Sequence, residues 1–329
     1  MKKVLVILLA ALLACACFAI PPVLAEGRLN VIATTFPIYD WVREIAGDEL
    51  SRIDLTLLLD NGVDLHSFQP TAQDVMKIAI CDAFFYVGGE SDGWVDDALQ
   101  ESVNPDMVVL SLLDAMGGDV KTEEIVEGME HEHDHDHDEE HDHDDEHDHD
   151  EEIDEHVWLS LRNAQKLVCA LAEALGEADP DHAGAYRTNA EAYAAKLADL
   201  DARYEEAIRA AAHHTILFGD RFPFRYLADD YGLDYYAAFS GCSAECEASF
   251  QTIIFLSRKV DELRLPAVLT IENPKTRIAE TVVDNTAEKN QKILSLDSMQ
   301  GVTAAGVEAG VTYLSVMEEN LRILTEALN

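Results

Sequence analysis

The chain has 329 residues, of which 48% are apolar, so it can bury a substantial hydrophobic core. Its formal net charge of -41 repels phosphate backbones, which excludes nucleic acid as an expected partner. The stretch from Glu130 to Glu152 holds 15 acidic residues and neither Lys nor Arg. Cationic partners are therefore favoured.

The N-terminus has the pattern of a bacterial export signal. Met1-Lys2-Lys3 precedes an apolar run, Val4 to Leu13, that is too short to span a bilayer. Leu12-Leu13-Ala14-Cys15 resembles a lipobox, in which Cys15, or as second choice Cys17, is lipidated. Residues 1–25 are thus a predicted leader, and we expect a lipid anchor at the outer face of the cytoplasmic membrane. Cleavage after Ala25 would instead give a free periplasmic or secreted protein.

Short apolar runs alternate with helical patterns in the first half of the chain. This alternation predicts a parallel sheet covered by helices. The predicted strands are Asn30–Thr35, Leu55–Leu59, Ala83–Val87 and Met107–Ser111, and the predicted helices lie around Ile38–Ala46, Thr71–Ile80 and Trp94–Glu101. Residues 29–180 are therefore predicted to form a first lobe, which includes an acidic, His-rich loop at 128–152.

Eight histidines alternate with Asp and Glu in this loop, which we call the tract. They are His131, His133, His135, His137, His141, His143, His147 and His149. The tract has almost no apolar residues, so it cannot bury enough surface to fold alone. A solvated spacer would explain the carboxylates but not the histidines, and imidazole is the commonest protein ligand for zinc. The tract therefore predicts many weak contacts with a divalent transition metal.

A long amphipathic helix is predicted from Asp181 to Ala212. Its apolar residues recur at steps of three and four and so share one face. They are Tyr186, Ala190, Tyr193, Leu197, Leu200, Tyr204 and Ile208. At 1.5 Å per residue such a helix is roughly 45 Å long, enough to cross two lobes as one rigid strut.

The alternation of strands and helices restarts after this helix. The predicted strands are Thr215–Phe218, Leu233–Phe239, Val268–Ile271 and Lys292–Ser295, and a closing helix runs from about Val311 to Leu328. Residues 213–329 are therefore a second predicted α/β lobe, linked to the first by the helix at 181–212.

Four cysteines follow the leader. Cys81 and Cys169 lie in apolar stretches and are predicted to be small core residues. Cys242 and Cys246 are four residues apart in a segment containing Gly and Ser, where an oxidising compartment would permit a local disulfide. Ligation of a metal by one or both thiolates is the alternative.

Two histidines outside the tract stand at positions suited to an ordered site. His66 follows a predicted strand, and ligands of open α/β sheets bind beyond the carboxyl ends of strands. His156 comes directly after the tract. Either could be structural, but two such histidines beside a metal-collecting tract indicate a metal site.

The sequence resembles the zinc and manganese solute-binding proteins of ABC importers over essentially the whole mature chain. The matching motifs are His66-x-x-x-Pro70, Glu155-His156-Val157-Trp158-Leu159-Ser160, Tyr231-Gly232-Leu233 and Ser295-Leu296-Asp297-Ser298. The resemblance implies a monomer of two lobes joined by the long helix. It also implies that His66, His156 and Asp297 hold a metal between the lobes, and that the metal is delivered to a membrane permease.

One position departs from the family pattern. The family's third His or Glu falls on Arg221, which has no lone pair to donate to a metal. Asp220 could replace that ligand, or Cys242 or Cys246 could supply a thiolate. Arg221 would then be free to pair with Glu272 or Asp297.

The predicted cargo is Zn2+, because two imidazoles, a carboxylate and one further donor make a tetrahedral zinc site. Mn2+ is the alternative, although it prefers more oxygen donors. The sequence contains neither His-Glu-x-x-His nor a nucleophile-elbow motif, so no enzyme is expected. An extracellular metal buffer or adhesin, and a zinc hydrolase, are the alternative functions.

Overall fold

The computed structural model describes residues 27–129, 152–243, 247–272 and 276–329. Two four-stranded, all-parallel sheets lie on either side of one long helix in the chain. The predicted fold class, two α/β lobes joined by a long helix, is confirmed. The leader with Cys15 and Cys17, Cys246 and the eight histidines of the tract fall outside the described residues.

The elements alternate as the sequence pattern predicts. The strands are β1 (Leu29–Ala33), β2 (Ile53–Leu57), β3 (Ala83–Tyr86), β4 (Val108–Ser111), β5 (Thr215–Phe222), β6 (Asp234–Ser240), β7 (Ala267–Thr270) and β8 (Lys292–Ser295). The helices are α1 (Phe36–Ala46), α2 (Ala72–Ala79), α3 (Val95–Gln100), α4 (Leu112–Met116), α5 (Leu161–Ala178), α6 (Ala183–Ala210), α7 (Arg225–Tyr231), α8 (Phe250–Leu263), α9 (Arg277–Asp284), α10 (Ala304–Glu308) and α11 (Tyr313–Ala327).

The first sheet has the strand order β2-β1-β3-β4, and its central strands are buried on both faces. Val31, Ile32, Phe84 and Phe85 are at most 3% exposed, as expected for a parallel sheet covered by helices. The loops after β2 and β3 leave the same edge of this sheet, because their strands are parallel. That edge faces the second lobe.

The second sheet repeats this arrangement with the order β6-β5-β7-β8. β5 runs four residues further than predicted, because a register irregularity between Phe218 and Arg221 lets pairing with β6 continue. Arg221 pairs with Phe239, and Phe222 with Ser240. The ends of β5 and β6 therefore lie side by side at the edge that faces the first lobe.

The long helix α6 has 28 residues and is about 42 Å long. All seven residues of the predicted apolar face are buried. α6 packs on α5 and α1 of the first lobe and on α11 of the second. The predicted strut is therefore confirmed.

Buried hydrogen bonds also tie the lobes together. The Trp158 indole N–H donates to the Ser298 carbonyl at 2.9 Å, and the Tyr313 hydroxyl donates to the Trp158 carbonyl at 2.6 Å. The Tyr313 backbone N–H donates to Asp40 Oδ2 at 2.8 Å. Because Trp158 lies two residues after His156, these bonds fix the lobe interface beside the candidate site.

The two predicted core cysteines differ. Cys81 is buried, but the prediction for Cys169 is wrong, because Cys169 falls on the solvent face of the amphipathic helix α5. Across the described ranges, no helix combines the length and apolar character that crossing a bilayer requires.

Candidate metal centre

The candidate site is built from loops at the facing edges of the two sheets. His66 follows β2 and Ser91 follows β3, whereas Cys242 follows β6 and Gln300 follows β8. His156 lies in the segment that leads into α5. Parallel strands bring their carboxyl ends to one edge, which explains how residues so distant in sequence converge.

His66 is held in a short 3₁₀ turn, Leu65–Ser67, that Asp64 caps by accepting the His66 backbone N–H at 3.0 Å. Its ring Nδ1 lies 2.8 Å from Ser91 Oγ and 3.5 Å from Glu155 Oε2. These partners leave Nε2 as the lone-pair nitrogen that points into the cleft. Burial and the neighbouring His156 lower the pKa of His66 to about 3, so its ring is neutral at physiological pH.

His156 is fully buried and is oriented by Asp154. Asp154 Oδ1 accepts both the His156 backbone N–H and the ring Nδ1–H, each at 2.9 Å. An ionised carboxylate only accepts hydrogen bonds, so Nδ1 carries a proton and Nε2 is the free nitrogen of the neutral ring. Burial lowers the pKa of His156, but the hydrogen bond and charge of Asp154, with Glu123 and Glu155, outweigh it and raise the pKa overall.

The two free nitrogens are spaced almost as a metal requires. His66 Nε2 and His156 Nε2 lie 3.1 Å apart. Two imidazoles bound to one tetrahedral zinc at 2.0–2.1 Å would have nitrogens ~3.3 Å apart. Binding therefore needs only a small movement of either ring.

A thiol completes a group of three candidate ligand atoms. Cys242 Sγ lies within 4.8 Å of the ligand nitrogens of His66 and His156. Burial, followed by the charges of Glu123, Asp154 and Glu155, raises the pKa of Cys242 well above its ordinary range. The metal-free site therefore holds a neutral thiol, which must lose its proton to bind a metal.

An amide from the second lobe borders the same group. Gln300 Nε2 lies 3.2 Å from His156 Nε2 and 3.3 Å from Ser298 Oγ. Gln300 Oε1 is buried and has no hydrogen-bond partner among the described residues. It lines a small cavity with Thr35, whose buried hydroxyl also lacks a partner there. A half-turn of the amide would place its oxygen beside His156.

The structure does not bring the other predicted ligands into this group. Asp297 Oδ1 accepts the Met299 N–H at 2.7 Å, and burial with the charge of Glu272 raises the pKa of Asp297 to about 6. Asp220 accepts the N–H groups of Arg221 and Ile271. Both carboxylates thus support the backbone of the second lobe, and neither belongs to a metal-ligand cluster of the described residues.

Arg221 forms its ion pair with Asp64 of the first lobe, not with Glu272 or Asp297 as predicted. The reason is that the β5 edge faces the loop that carries His66. Glu272 instead accepts the backbone N–H groups of Ser298, Gln300 and Gly301. Cys242 is a free cysteine, and Cys246, its partner in the predicted local disulfide, lies outside the described residues.

Three supporting residues escaped the sequence analysis. Ser91 contacts His66 from the loop after β3, and Gln300 reaches the site from the loop after β8. Glu123 accepts the N–H groups of Gly241 and Cys242 at 3.2 and 3.1 Å. For Ser91 and Gln300, the position after a predicted strand was the available signal, but Ser and Gln carry no metal-binding pattern of their own. Asp154 and Glu155 directly precede His156 in sequence, but no motif marks them as partners of the two histidines.

The family model described as ZnuA, zinc-uptake complex component A, periplasmic, matches residues 31–327. The chain belongs to this family. The predicted resemblance to metal-binding components of importers is therefore confirmed, and the family is a periplasmic one.

Individual ZnuA-family proteins cover the chain to a similar extent. The zinc-binding lipoprotein AdcA of Streptococcus pneumoniae is 32% identical over 302 residues, which are 92% of this chain and 56% of that protein. The chain thus spans about half the length of that relative. The high-affinity zinc uptake system protein ZnuA of Bacillus subtilis is 30% identical over 301 residues, covering 92% and 88% of the two chains.

A solved structure of the family has the same fold. The Zn(II)-bound ZnuA-like domain of Streptococcus pneumoniae AdcA superimposes with a TM-score of 0.69 at 28% identity. The match covers 92% of this chain and 99% of that one.

Proposed function

We propose that this protein is the extracytoplasmic receptor of an ABC importer that captures Zn2+ between its lobes and delivers it to a membrane permease. One observation carries the proposal. The Nε2 atoms of His66 and His156 converge at 3.1 Å, and the other nitrogen of each ring contacts a hydrogen-bonding partner. Outer partners of this kind orient metal-binding imidazoles.

Gln300 supports the proposal as a donor from the second lobe. Its amide already contacts His156, and its buried Oε1 lacks a partner among the described residues. Rotation of the amide would turn that oxygen toward the metal. This choice replaces Asp297, whose carboxylate accepts the Met299 N–H.

Zinc is favoured over manganese by the donor atoms. Two imidazoles and a nearby thiol suit zinc, whereas manganese prefers carboxylate, carbonyl and water oxygens. The comparisons support the same choice, because the relatives are named for zinc.

Transport is favoured over hydrolysis because the carboxylates around the site hold backbone N–H groups and are not placed as a general base. A catalytic zinc site keeps an open position and a nearby general base. Here four carboxylates around the donor loops each accept a backbone N–H. They are Asp154, Glu155, Glu123 and Glu272.

Zinc titration of histidine variants tests the receptor proposal. His66→Ala and His156→Ala should each abolish the single tight site measured by isothermal titration calorimetry. His214→Ala is the matched control, because His214 is exposed at the start of β5. All variants should lack residues 130–151, so that the tract contributes no weak sites. Near-native affinity in both site variants would disprove the proposal.

Substitutions that change the charge at Gln300 test whether this residue is the donor from the second lobe. Gln300→Glu should tighten zinc binding, because a carboxylate oxygen replaces a neutral amide oxygen, and Gln300→Ala should weaken it. Asp297→Asn should change the affinity less than Gln300→Ala does. The reverse order would reinstate Asp297 as the ligand.

The tract is proposed as an accessory collector of zinc. Removing residues 130–151 separates this role from the buffer alternative, because a receptor keeps its tight site and a buffer loses nearly all binding. Glu152 is retained because its carbonyl accepts the Glu123 N–H at 2.7 Å.

The N-terminal leader contains a candidate site of lipid attachment, Cys15. We propose lipidation at Cys15, supported by the lipobox-like sequence and by the lipoprotein named among the relatives. Labelling with a fatty-acid analogue should modify the wild-type protein, and Cys15→Ser should remove the label. Labelling that persists in this variant would point to Cys17.

A further inference from the structure

The receptor proposal uses the Cys242 thiol only as a nearby group that suits zinc, and does not assign it as a ligand. Its Sγ and the ligand nitrogens of His66 and His156 all lie within 4.8 Å of one another. In a tetrahedral site with Zn–N of about 2.05 Å and Zn–S of about 2.3 Å, the sulfur would be ~3.6 Å from each nitrogen. The three atoms are therefore close to a shared coordination sphere.

The loop after β6 is constructed to hold this thiol in place. Glu123 accepts the backbone N–H groups of both Gly241 and Cys242. Gly241 is buried so tightly that a Cβ there would lie 2.9 Å from the Phe222 carbonyl oxygen and 3.1 Å from Pro223 Cα. A side chain at this position would push the loop outward, so the glycine allows Cys242 to approach the histidines.

The neighbouring strand offers no donor at the position where the family has a third ligand. Arg221 stands at the end of β5 and cannot coordinate a metal. Its guanidinium pairs with Asp64 and lies close enough to Cys242 to interact with the charge of a thiolate there. Since β5 and β6 pair side by side, the thiol reaches the site from the next strand along.

We infer that Cys242 is a metal ligand and that the site selects thiophilic cations as a class, namely Zn2+, Cd2+ and Cu+, over hard ions such as Mn2+. This inference rests on the proposed receptor function. Thiolates bind such ions preferentially because both partners are soft. On binding, the thiol releases its proton to solvent and the sulfur lone pair forms the bond to the metal.

Binding of Co2+ in place of Zn2+ detects a bond between the metal and the Cys242 sulfur directly. Co2+ bound to the reduced protein without residues 130–151 should show an intense thiolate-to-cobalt charge-transfer band in the near ultraviolet. The band should disappear in Cys242→Ser and persist in Cys246→Ser, which is the matched control. A band that survives in Cys242→Ser, or that vanishes only in Cys246→Ser, overturns the inference.

Competition between metals measures selectivity. Cys242→Ser should weaken Cd2+ binding by more than the ~10–100-fold that loss of an outer partner costs, and should weaken Zn2+ binding less. An unchanged ratio of Cd2+ to Zn2+ affinity overturns the inference. Cys242→Asp, which restores a charged donor of oxygen type, should recover Zn2+ binding more than Cd2+ binding.

Thermal unfolding and the zinc affinity of the histidine variants show whether a loss of binding in Cys242→Ser comes from the missing thiolate. Thermal unfolding of the metal-free variants should match the wild type, and Cys242→Asp provides a second test if Cys242→Ser is unstable. If His66→Ala and His156→Ala retain zinc, the receptor proposal itself fails. If they lose zinc while Cys242→Ser keeps both affinity and selectivity, only the thiolate inference fails.

Discussion

Three consecutive residues, Asp154, Glu155 and His156, serve both imidazoles of the site. Asp154 holds Nδ1 of His156, and Glu155 lies beside Nδ1 of His66 while accepting the Ser91 N–H at 2.8 Å. Each ring therefore presents Nε2 to the same point. One short segment sets the orientation of two candidate ligands that lie 90 residues apart in sequence.

The charge of Asp154 should control how protons compete with zinc at His156. His156 binds metal only when neutral, and Asp154 raises its pKa. Asp154→Asn removes that charge and lowers the pKa of His156, so zinc affinity should fall less steeply as the pH drops. At the alkaline end, zinc affinity should be ~10–100-fold weaker than in the wild type, because Asn accepts the hydrogen bond from His156 Nδ1–H less strongly than Asp does. Calorimetry from roughly pH 5.5 to 8 spans the titration of histidine.

Ser91→Ala provides the control for this pH dependence. The pKa of His66 is already lowered to about 3, so its ring does not compete with protons over that range. Loss of the Ser91 contact should therefore reduce affinity without changing the slope against pH. Identical slopes for Asp154→Asn and the wild type would contradict the assignment of His156 as the proton-sensitive ligand.

At the residue scale, the sequence is most informative where chemistry and position agree. It predicts His66 and His156 as metal ligands because imidazoles at strand ends and beside the tract form a recognisable pattern, and the structure brings their Nε2 atoms together. Gln300 was not predicted, because an amide side chain is not part of any metal-binding pattern. Its contact with His156 also spans 144 residues of sequence. The partner of Arg221 was predicted incorrectly for the same reason, since Asp64 lies 157 residues away in sequence.

Helices and strands were more accessible to prediction than their contacts. The apolar face of α6 repeats every three to four residues, so its buried positions follow from sequence alone. The end of β5 could not be predicted from sequence, because the pairing of β5 with β6 shifts register between Phe218 and Arg221. Gly219 lies within that irregular stretch, and its role becomes visible only in the packing.

Gly219 is the contact point between β5 and α9. A Cβ on Gly219 would lie 2.5 Å from Ala279 Cα and 2.8 Å from Ala279 N, which are backbone atoms that cannot rotate away. Gly219→Ala should reduce the free energy of unfolding by about 1–3 kcal/mol, the usual cost of overpacking. Urea denaturation of the metal-free protein measures this loss.

Gly184→Ala is the matched control for this substitution. Gly184 lies in the exposed first turn of α6, and a Cβ there would contact nothing within 4 Å. Alanine favours the helix, so this variant should be unchanged or more stable by up to ~1 kcal/mol. Equal effects of the two substitutions would rule out steric contact with α9 as the cause.

At the scale of the whole molecule, the His66 loop is attached to the second lobe as well as the first. Asn61 forms an antiparallel bridge with Thr303, and the Asp60 carbonyl accepts the Ala304 N–H at 2.8 Å. The Arg221–Asp64 ion pair adds a charged contact across the cleft. Relative movement of the lobes would therefore either break these contacts or pull the His66 loop away from His156.

The Arg221–Asp64 pair should stabilise the closed arrangement of the lobes. A double-mutant cycle of Arg221→Met and Asp64→Asn should give a coupling energy of about 0.5–3 kcal/mol in the free energy of unfolding. Zinc should also dissociate faster from each single variant, because the loop carrying His66 is held less firmly. Chelator-induced release, followed by stopped-flow fluorescence, measures that rate.

The exposed pair Arg203–Glu318 is the control for this cycle. It joins α6 to α11 at 2.8 Å, but both side chains are about half exposed. Exposed pairs contribute about 0–1 kcal/mol, so this cycle should give little coupling and leave the zinc release rate unchanged. Release rates that respond equally to both pairs would show that the Arg221–Asp64 contact has no special connection to the site.

The short ladder at the ends of the tract makes the segment between them an exchangeable module. Glu123 N–H donates to the Glu152 carbonyl, Asp154 N–H donates to the Lys121 carbonyl, and Tyr226 contacts both strands of this ladder. These contacts, which lie outside the tract, therefore fix the positions of Asp154, Glu155 and His156. Tracts of other lengths and metal preferences could be inserted between the buried Met129 and Glu152 without redesigning the pocket, which offers a route to zinc receptors with altered scavenging range.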